Sequence, residues 1–168
     1  MASILKVDEV QDISGKKILQ NTGSVLQVVQ GTIKTDNFAV TSATFTNSGL
    51  EVSITPTSTS SKILVQFTGC IRVYNTSGNN AYAFWRIYRK IGSGSYAQLG
   101  SHQFTHRAYD YGNGAISDVP MHCQYLDAPS TTSAVSYKIY AYLGAGSQLE
   151  MNPSADDESY AFAMEVVG

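Results

Sequence analysis

Apolar and polar residues alternate with the two-residue period of a β-strand along most of the chain, and helix-period patterns are nearly absent. In Lys62-Ile63-Leu64-Val65-Gln66-Phe67 the residues Ile63, Val65 and Phe67 share one face. Over 135–143 the apolar face is Val135, Ile139, Ala141 and Leu143; Leu50-Glu51-Val52-Ser53-Ile54 and 160–167 repeat the pattern. Further strands are predicted over 25–32, 39–46, 82–91, 98–105 and 119–126. Between them stand residues that tolerate positive φ: Asn47-Ser48-Gly49, the run 75–80, Gly92-Ser93-Gly94, Gly112-Asn113-Gly114 and Gly144-Ala145-Gly146. Short strands at hairpin spacing predict an all-β, antiparallel, jelly-roll-like β-sandwich over residues 23–168.

Residues 1–22 differ. They hold most of the charge of the first third and too little apolar material for a core of their own. An extended N-terminal arm that docks on a neighbour through Leu5, Val7, Val10, Ile13, Ile18 and Leu19 is one reading, and an unordered terminus is the other.

Segment 82–91 is apolar on both faces. Tyr82, Phe84 and Tyr88 share one parity, and Ala83, Trp85, Ile87 and Ile91 the other. The outer face of a two-layer sandwich is ordinarily wet. Two dry faces therefore point either to a partner subunit on one of them or to a single thick aromatic core.

Composition narrows the function classes. The 168 residues are 43% hydrophobic but only 14% charged, and the net charge is −2. Neither sign dominates a long stretch, so no strong field draws phosphate backbones or anionic membranes. Nucleic acid and membrane insertion are not expected. Residues 1–6 lack a signal-peptide layout, and Cys70 and Cys123 are too few for a disulfide framework. Assembly in a cytosol is the expectation, with the thiols free and buried.

Four segments resemble a known group. Leu50-Glu51-Val52-Ser53-Ile54-Thr55-Pro56-Thr57-Ser58-Thr59-Ser60-Ser61-Lys62-Ile63-Leu64-Val65 resembles a pattern of tail-fibre-type virion proteins of phages. Tyr125-Leu126-Asp127-Ala128-Pro129-Ser130-Thr131-Thr132-Ser133-Ala134-Val135-Ser136-Tyr137-Lys138-Ile139 is similar to the second signature of that group. The ending Ser159-Tyr160-Ala161-Phe162-Ala163-Met164-Glu165-Val166-Val167-Gly168 resembles its terminal strand, and Leu5-Lys6-Val7-Asp8-Glu9-Val10-Gln11-Asp12 the N-termini of marine and cyanobacterial phage structural proteins. The resemblance implies a homotrimeric jelly-roll-like domain, often at the distal end of a fibre, that contacts the host surface. Tail fibres usually carry a long shaft between anchor and tip, whereas arm and sandwich adjoin here. That departure raises a capsid decoration (cement) protein or head fibre as the alternative. The two Ser/Thr runs, after Pro56 and Pro129, read as polar connections that do not pack.

No catalytic constellation is expected. His102 and His106 are spaced like helical metal ligands, but four residues of extended chain separate their Cα atoms by roughly 13 Å. His122 beside Cys123 is discounted in the same way, and no metal or cofactor is expected. No Gly-x-Ser-x-Gly elbow is present. Asp110, Asp118, Asp127 and Asp156-Asp157-Glu158 are the acids available for glycoside hydrolysis, the last read as a solvated turn. Trp85-Arg86-Ile87-Tyr88-Arg89-Lys90 interleaves aromatic and basic residues as single-strand binders do, but reads better as a strand with Arg stems over apolar surface. The recognition candidate is 101–114, with His106, Arg107, Tyr109, Asp110, Tyr111 and Asn113 suited to a host glycan or protein. A loop packing on its own trimer mate is the other reading of that stretch. The partners expected are the chain itself, other virion proteins of tail, baseplate or capsid, and the host surface.

Overall fold

A computed structural model of the chain describes residues 13–14, 23–76, 81–101, 104–108 and 115–168, with backbone alone for 106–108 and 115. Its elements are β1 (Val25–Lys34), β2 (Phe38–Val40), β3 (Thr46–Ile54), β4 (Lys62–Asn75), β5 (Ala81–Ile91), β6 (Ala97–Gln98), β7 (Phe104–Ala108), β8 (Ala115–Asp127), β9 (Val135–Ala145), β10 (Gln148–Met151) and β11 (Ser159–Val166). No helix occurs among the described residues.

The strands form two antiparallel sheets. In the first, β4 is flanked by β8 along its whole length on one edge, and by β11 and β10 end to end on the other. With β1 on β11, the order is β1-β11-β4-β8, and β2 extends β10. In the second, β3-β9-β5 continues into β7 and β6, which share the far edge of β5. Two four-stranded sheets in the orders β1-β11-β4-β8 and β3-β9-β5-β7 are the double Greek key of a jelly roll. The fold expected from the alternation is the fold observed.

The inward parity of each strand makes the core: Ile63, Val65 and Phe67 of β4, Ala161 and Ala163 of β11, Val52 and Ile54 of β3, Trp85 and Ile87 of β5, and Tyr137 and Ile139 of β9 are all buried. Removing this apolar surface from water is the main stabilising term.

Several local expectations need correction. Segment 39–46 is not one strand: β2 ends at Val40, and β3 begins at Thr46. Asn47-Ser48-Gly49 is not a turn but a bulge inside β3, where the register against β9 shifts between Asn47 and Glu51. Segment 98–105 is split into β6 and β7, and β10 was not anticipated. Gly144 and Ala145 belong to β9, and the chain turns at Gly146.

The connection after Pro56 does pack. Glu165 is fully buried, and the Thr57 backbone N–H and hydroxyl donate to its Oε1 at 2.7 and 2.8 Å. Gln27 donates to Oε2, so one carboxylate ties the 55–61 connection to β1 and β11. Cys70 and Cys123 lie on adjoining strands but on opposite faces of the sheet: Cys123 is buried in the core as expected, while Cys70 is half-buried on the outer side.

Candidate functional site

The sequence-predicted recognition stretch is only partly described. His106 and Arg107 lie in β7, their backbones opposite Ala83 and Tyr82. Tyr109, Asp110, Tyr111 and Asn113 lie outside the described residues. Of the arm positions, Ile13 is described and fully exposed; Leu5, Val7, Val10, Ile18 and Leu19 lie outside. Among the described residues the proposed acids do not converge. Asp118 and Asp127 point to opposite faces of β8: Asp118 is paired with Arg72, and Asp127 with Arg89 at 2.8 Å. Asp157 accepts the Ser154 N–H within a surface turn. His122 is exposed and Cys123 buried, so the two side chains diverge. Among the described residues no three His, Cys, Asp or Glu side chains gather to hold a metal ion.

What the fold does assemble is an aromatic face on the outside of the second sheet. Register sets Phe84 opposite Tyr142, Arg86 opposite Tyr140 and Tyr88 opposite Lys138, all on the outward parity of β5 and β9. The Tyr88 and Tyr140 rings lie 4.1 Å apart, Phe84 and Tyr142 5.7 Å, Tyr82 and Phe84 5.4 Å. Phe45, arriving from the loop before β3, stacks 5.0 Å from Tyr142 and takes the Arg86 guanidinium over its ring at 4.1 Å. These rings are half-buried, while Ala83, Trp85 and Ile87 of the other parity are buried in the core. The two-faced strand is therefore not a thick core: one parity fills the sandwich, and the other coats its outside.

Gly144 is a condition of this surface. A Cβ there would sit 2.1 Å from Tyr82 Cε2 and 2.9 Å from Phe84 Cε2, so only glycine lets both rings lie against the β9 backbone.

One end of the face is charged. Lys90 and Lys138 approach the Tyr96 ring at 5.1 and 4.7 Å. Tyr96 donates its hydroxyl to Glu51 Oε1, and Lys138 pairs with Glu51 Oε2 at 3.1 Å. Burial and then the neighbouring Glu51 carboxylate push the Tyr96 phenol well above its ordinary range. Ser53 and Ser136 share a hydrogen bond at 2.6 Å on the same rim.

The outer face of the first sheet is of a different kind. Three cross-strand rows run over it: Val28, Met164, Leu64, Leu126; then Gln30, Phe162, Gln66, Gln124; then Ile33, Tyr160, Thr68, His122. None of these residues is an Asp, Glu, Lys or Arg. Val28, Ile33 and Leu126 are 59%, 48% and 53% exposed, so apolar surface faces solvent in the described chain.

Between the sheets, on the seam of β7 and β8, lies a cleft of about 500 Å³ lined by Trp85, Phe104, Met121 and His122 among others. The Trp85 indole N–H, although buried, has no hydrogen-bond partner among the described residues.

Sequence reading found the β5 half of the aromatic face through its two-faced parity. It missed Phe45, Tyr96, Tyr140 and Tyr142. The signal for Tyr140 and Tyr142 was present, since both alternate with the apolar face of their strand; Phe45 and Tyr96 sit in connections, where parity says nothing.

No protein-family model matches the chain, and no curated protein matches it. Among solved structures, its full length aligns with 38% of a chain in the structure of infectious bursal disease virus strain Gt, at 14% identity and a TM-score of 0.42. It also aligns over its full length with 42% of a chain of strain Gx of that virus, at 14% identity and a TM-score of 0.34. A crystal structure of the VP2 subviral particle of the same virus matches 86% of this chain and 39% of its own, at 15% identity and a TM-score of 0.32. The chain thus spans about two fifths of the length of these proteins. The fold assignment rests on the strand order, not on these likenesses.

Proposed function

We propose that this chain is a non-enzymatic structural protein of a phage virion, a homotrimer that serves as a tail-fibre-like appendage and contacts the host surface. The observation that carries the reading is the uncharged middle of the outer face of the first sheet, the three rows between Lys62 at one end and the Arg72–Asp118 pair at the other. A surface of exposed Val28, Ile33 and Leu126 interleaved with Gln30, Gln66 and Gln124 is poorly suited to remain in water. It suits a neighbour of the same kind, because each amide both donates and accepts and no like charges meet. The resemblance of segments 50–65 and 125–139 to tail-fibre-type proteins supplies the particle. Burying this face makes the other sheet, with its aromatic surface, the one presented outward. Assembly then takes place in the host bacterial cytoplasm, with the arm 1–22 anchoring the trimer to tail or baseplate.

The test has two parts. Multi-angle light scattering on the full chain should give three times the mass of 18.1 kDa. Gold-labelled antibody on intact particles should decorate the tail. A monomer that no particle carries would overturn the reading, whereas label on the capsid would replace the fibre with a decoration (cement) protein or head fibre.

A further inference from the structure

We propose that the aromatic face of the second sheet is a binding site for a uronate-bearing polysaccharide. The inference rests on the host-contact reading above and moves its contact surface from the 101–114 stretch to the outer sides of β5 and β9.

Three properties select this ligand. First, Tyr82 to Tyr88 spans six residue steps of one strand, roughly 20 Å at β spacing. Tyr140, Tyr142 and Phe45 widen this strip across the sheet. Half-buried rings bearing hydroxyls present an apolar face to the C–H side of a sugar and a polar tip to its hydroxyls. Second, among the described residues Lys90 and Lys138 stand against one carboxylate, that of Glu51, although the chain as a whole is −2. Local charge is thus complementary to an acid, and among the described residues Lys90 makes no ion pair. Third, the rim offers acceptors as well as donors: Glu51, Asn47 and the hydroxyl of Ser53. Sugar hydroxyls need both. A phosphate backbone offers acceptors only, whereas sugar hydroxyls also donate to these acceptors, so the same rings favour a saccharide over a single-stranded nucleic acid. A second copy of the chain is disfavoured here, because a two-fold pairing of this face sets its cations against themselves.

In the bound state sugar rings stack along Tyr88, Tyr140 and Tyr142, and uronate carboxylates pair with Lys90 and Lys138.

The experiment is titration calorimetry of the full-length protein with tetragalacturonate, alongside a neutral galactose tetramer and an oligothymidylate. Tetragalacturonate should bind saturably and more tightly than the neutral tetramer. Tyr140→Ala should weaken it about tenfold and Lys90→Gln about threefold. Both variants should keep the wild-type melting temperature and mass, and Asp156→Ala, in the exposed turn before β11, should bind as wild type does. Equal affinity for acidic and neutral tetramers, preference for oligothymidylate, or indifference of both variants would overturn the proposal. A trimer found on particles that ignores all three ligands overturns this site and leaves the virion reading intact. Binding by a monomer absent from particles does the reverse.

Discussion

Glu165 shows how a single buried charge can organise a connection. Burial alone would raise its carboxyl pKa, but hydrogen bonds from Ser61, Gln27 and Thr57 outweigh that and hold it below the ordinary 4.5. Because the folded value is depressed, the group's stabilisation is complete above 4.5 and is lost as pH falls through the folded value. Glu165→Gln should cost about 2 kcal/mol at pH 7, since a charge-assisted acceptor becomes a neutral amide facing the Gln27 amide. Urea midpoints at pH 7 and 3.5 check it: the gap between variant and wild type should narrow at the lower pH. Trp85 gives the opposite case. Its buried indole N–H has no partner among the described residues, so Trp85→Phe removes a desolvated donor while keeping most of the ring. Its urea midpoint should place stability within about 1 kcal/mol of wild type, far below the 3–5 kcal/mol typical of truncating a buried aromatic to Ala.

At the scale of elements, β5 and β9 carry the site because their outward parity is aromatic while their inward parity is core. Strand alternation made the β5 half of this legible in Tyr82, Phe84 and Tyr88. The other half depends on register, which sets Tyr142 beside Phe84 and Tyr140 beside Arg86 and which a single strand's sequence does not contain. Gly144 illustrates the limit well. Read in sequence with Gly146 it looks like a turn, yet it is a strand residue kept bare by rings from another strand. Gly144→Val should therefore force Tyr82 and Phe84 off the sheet. Valine suits a strand, so the loss of stability should stay near 1 kcal/mol. The near-ultraviolet circular dichroism of the aromatic cluster should change markedly; an unaltered spectrum would show that the rings do not depend on that contact.

At the scale of the whole molecule, the proposed roles divide the two outer surfaces: the uncharged middle rows of the first sheet for other copies, and the aromatic face with its lysines for an acidic ligand. Replacing both Val28 and Leu126 by Glu should turn the trimer into monomers in light scattering. The variant should unfold within about 0.5 kcal/mol of the wild-type monomer, because both side chains are more than half exposed within one chain. The sequence by itself determined the fold class, since alternation with period two leaves a chain only sheets in which to bury its apolar face, and closely spaced turns demand a double-layered arrangement. It also determined which parity of β4 and β9 enters the core, whereas β5, apolar on both faces, was decided by the structure. Only the tertiary structure decided that Asp118 and Asp127 part to opposite faces of β8, that the Ser/Thr connection docks on Glu165, and that four strands align their uncharged residues into continuous rows. Each of these depends on the partner a strand finds across the sheet. That choice is made by long-range pairing of segments far apart in the chain, such as Gln27 and Glu165, 138 residues apart, and pairing over such distances leaves no local mark in either segment.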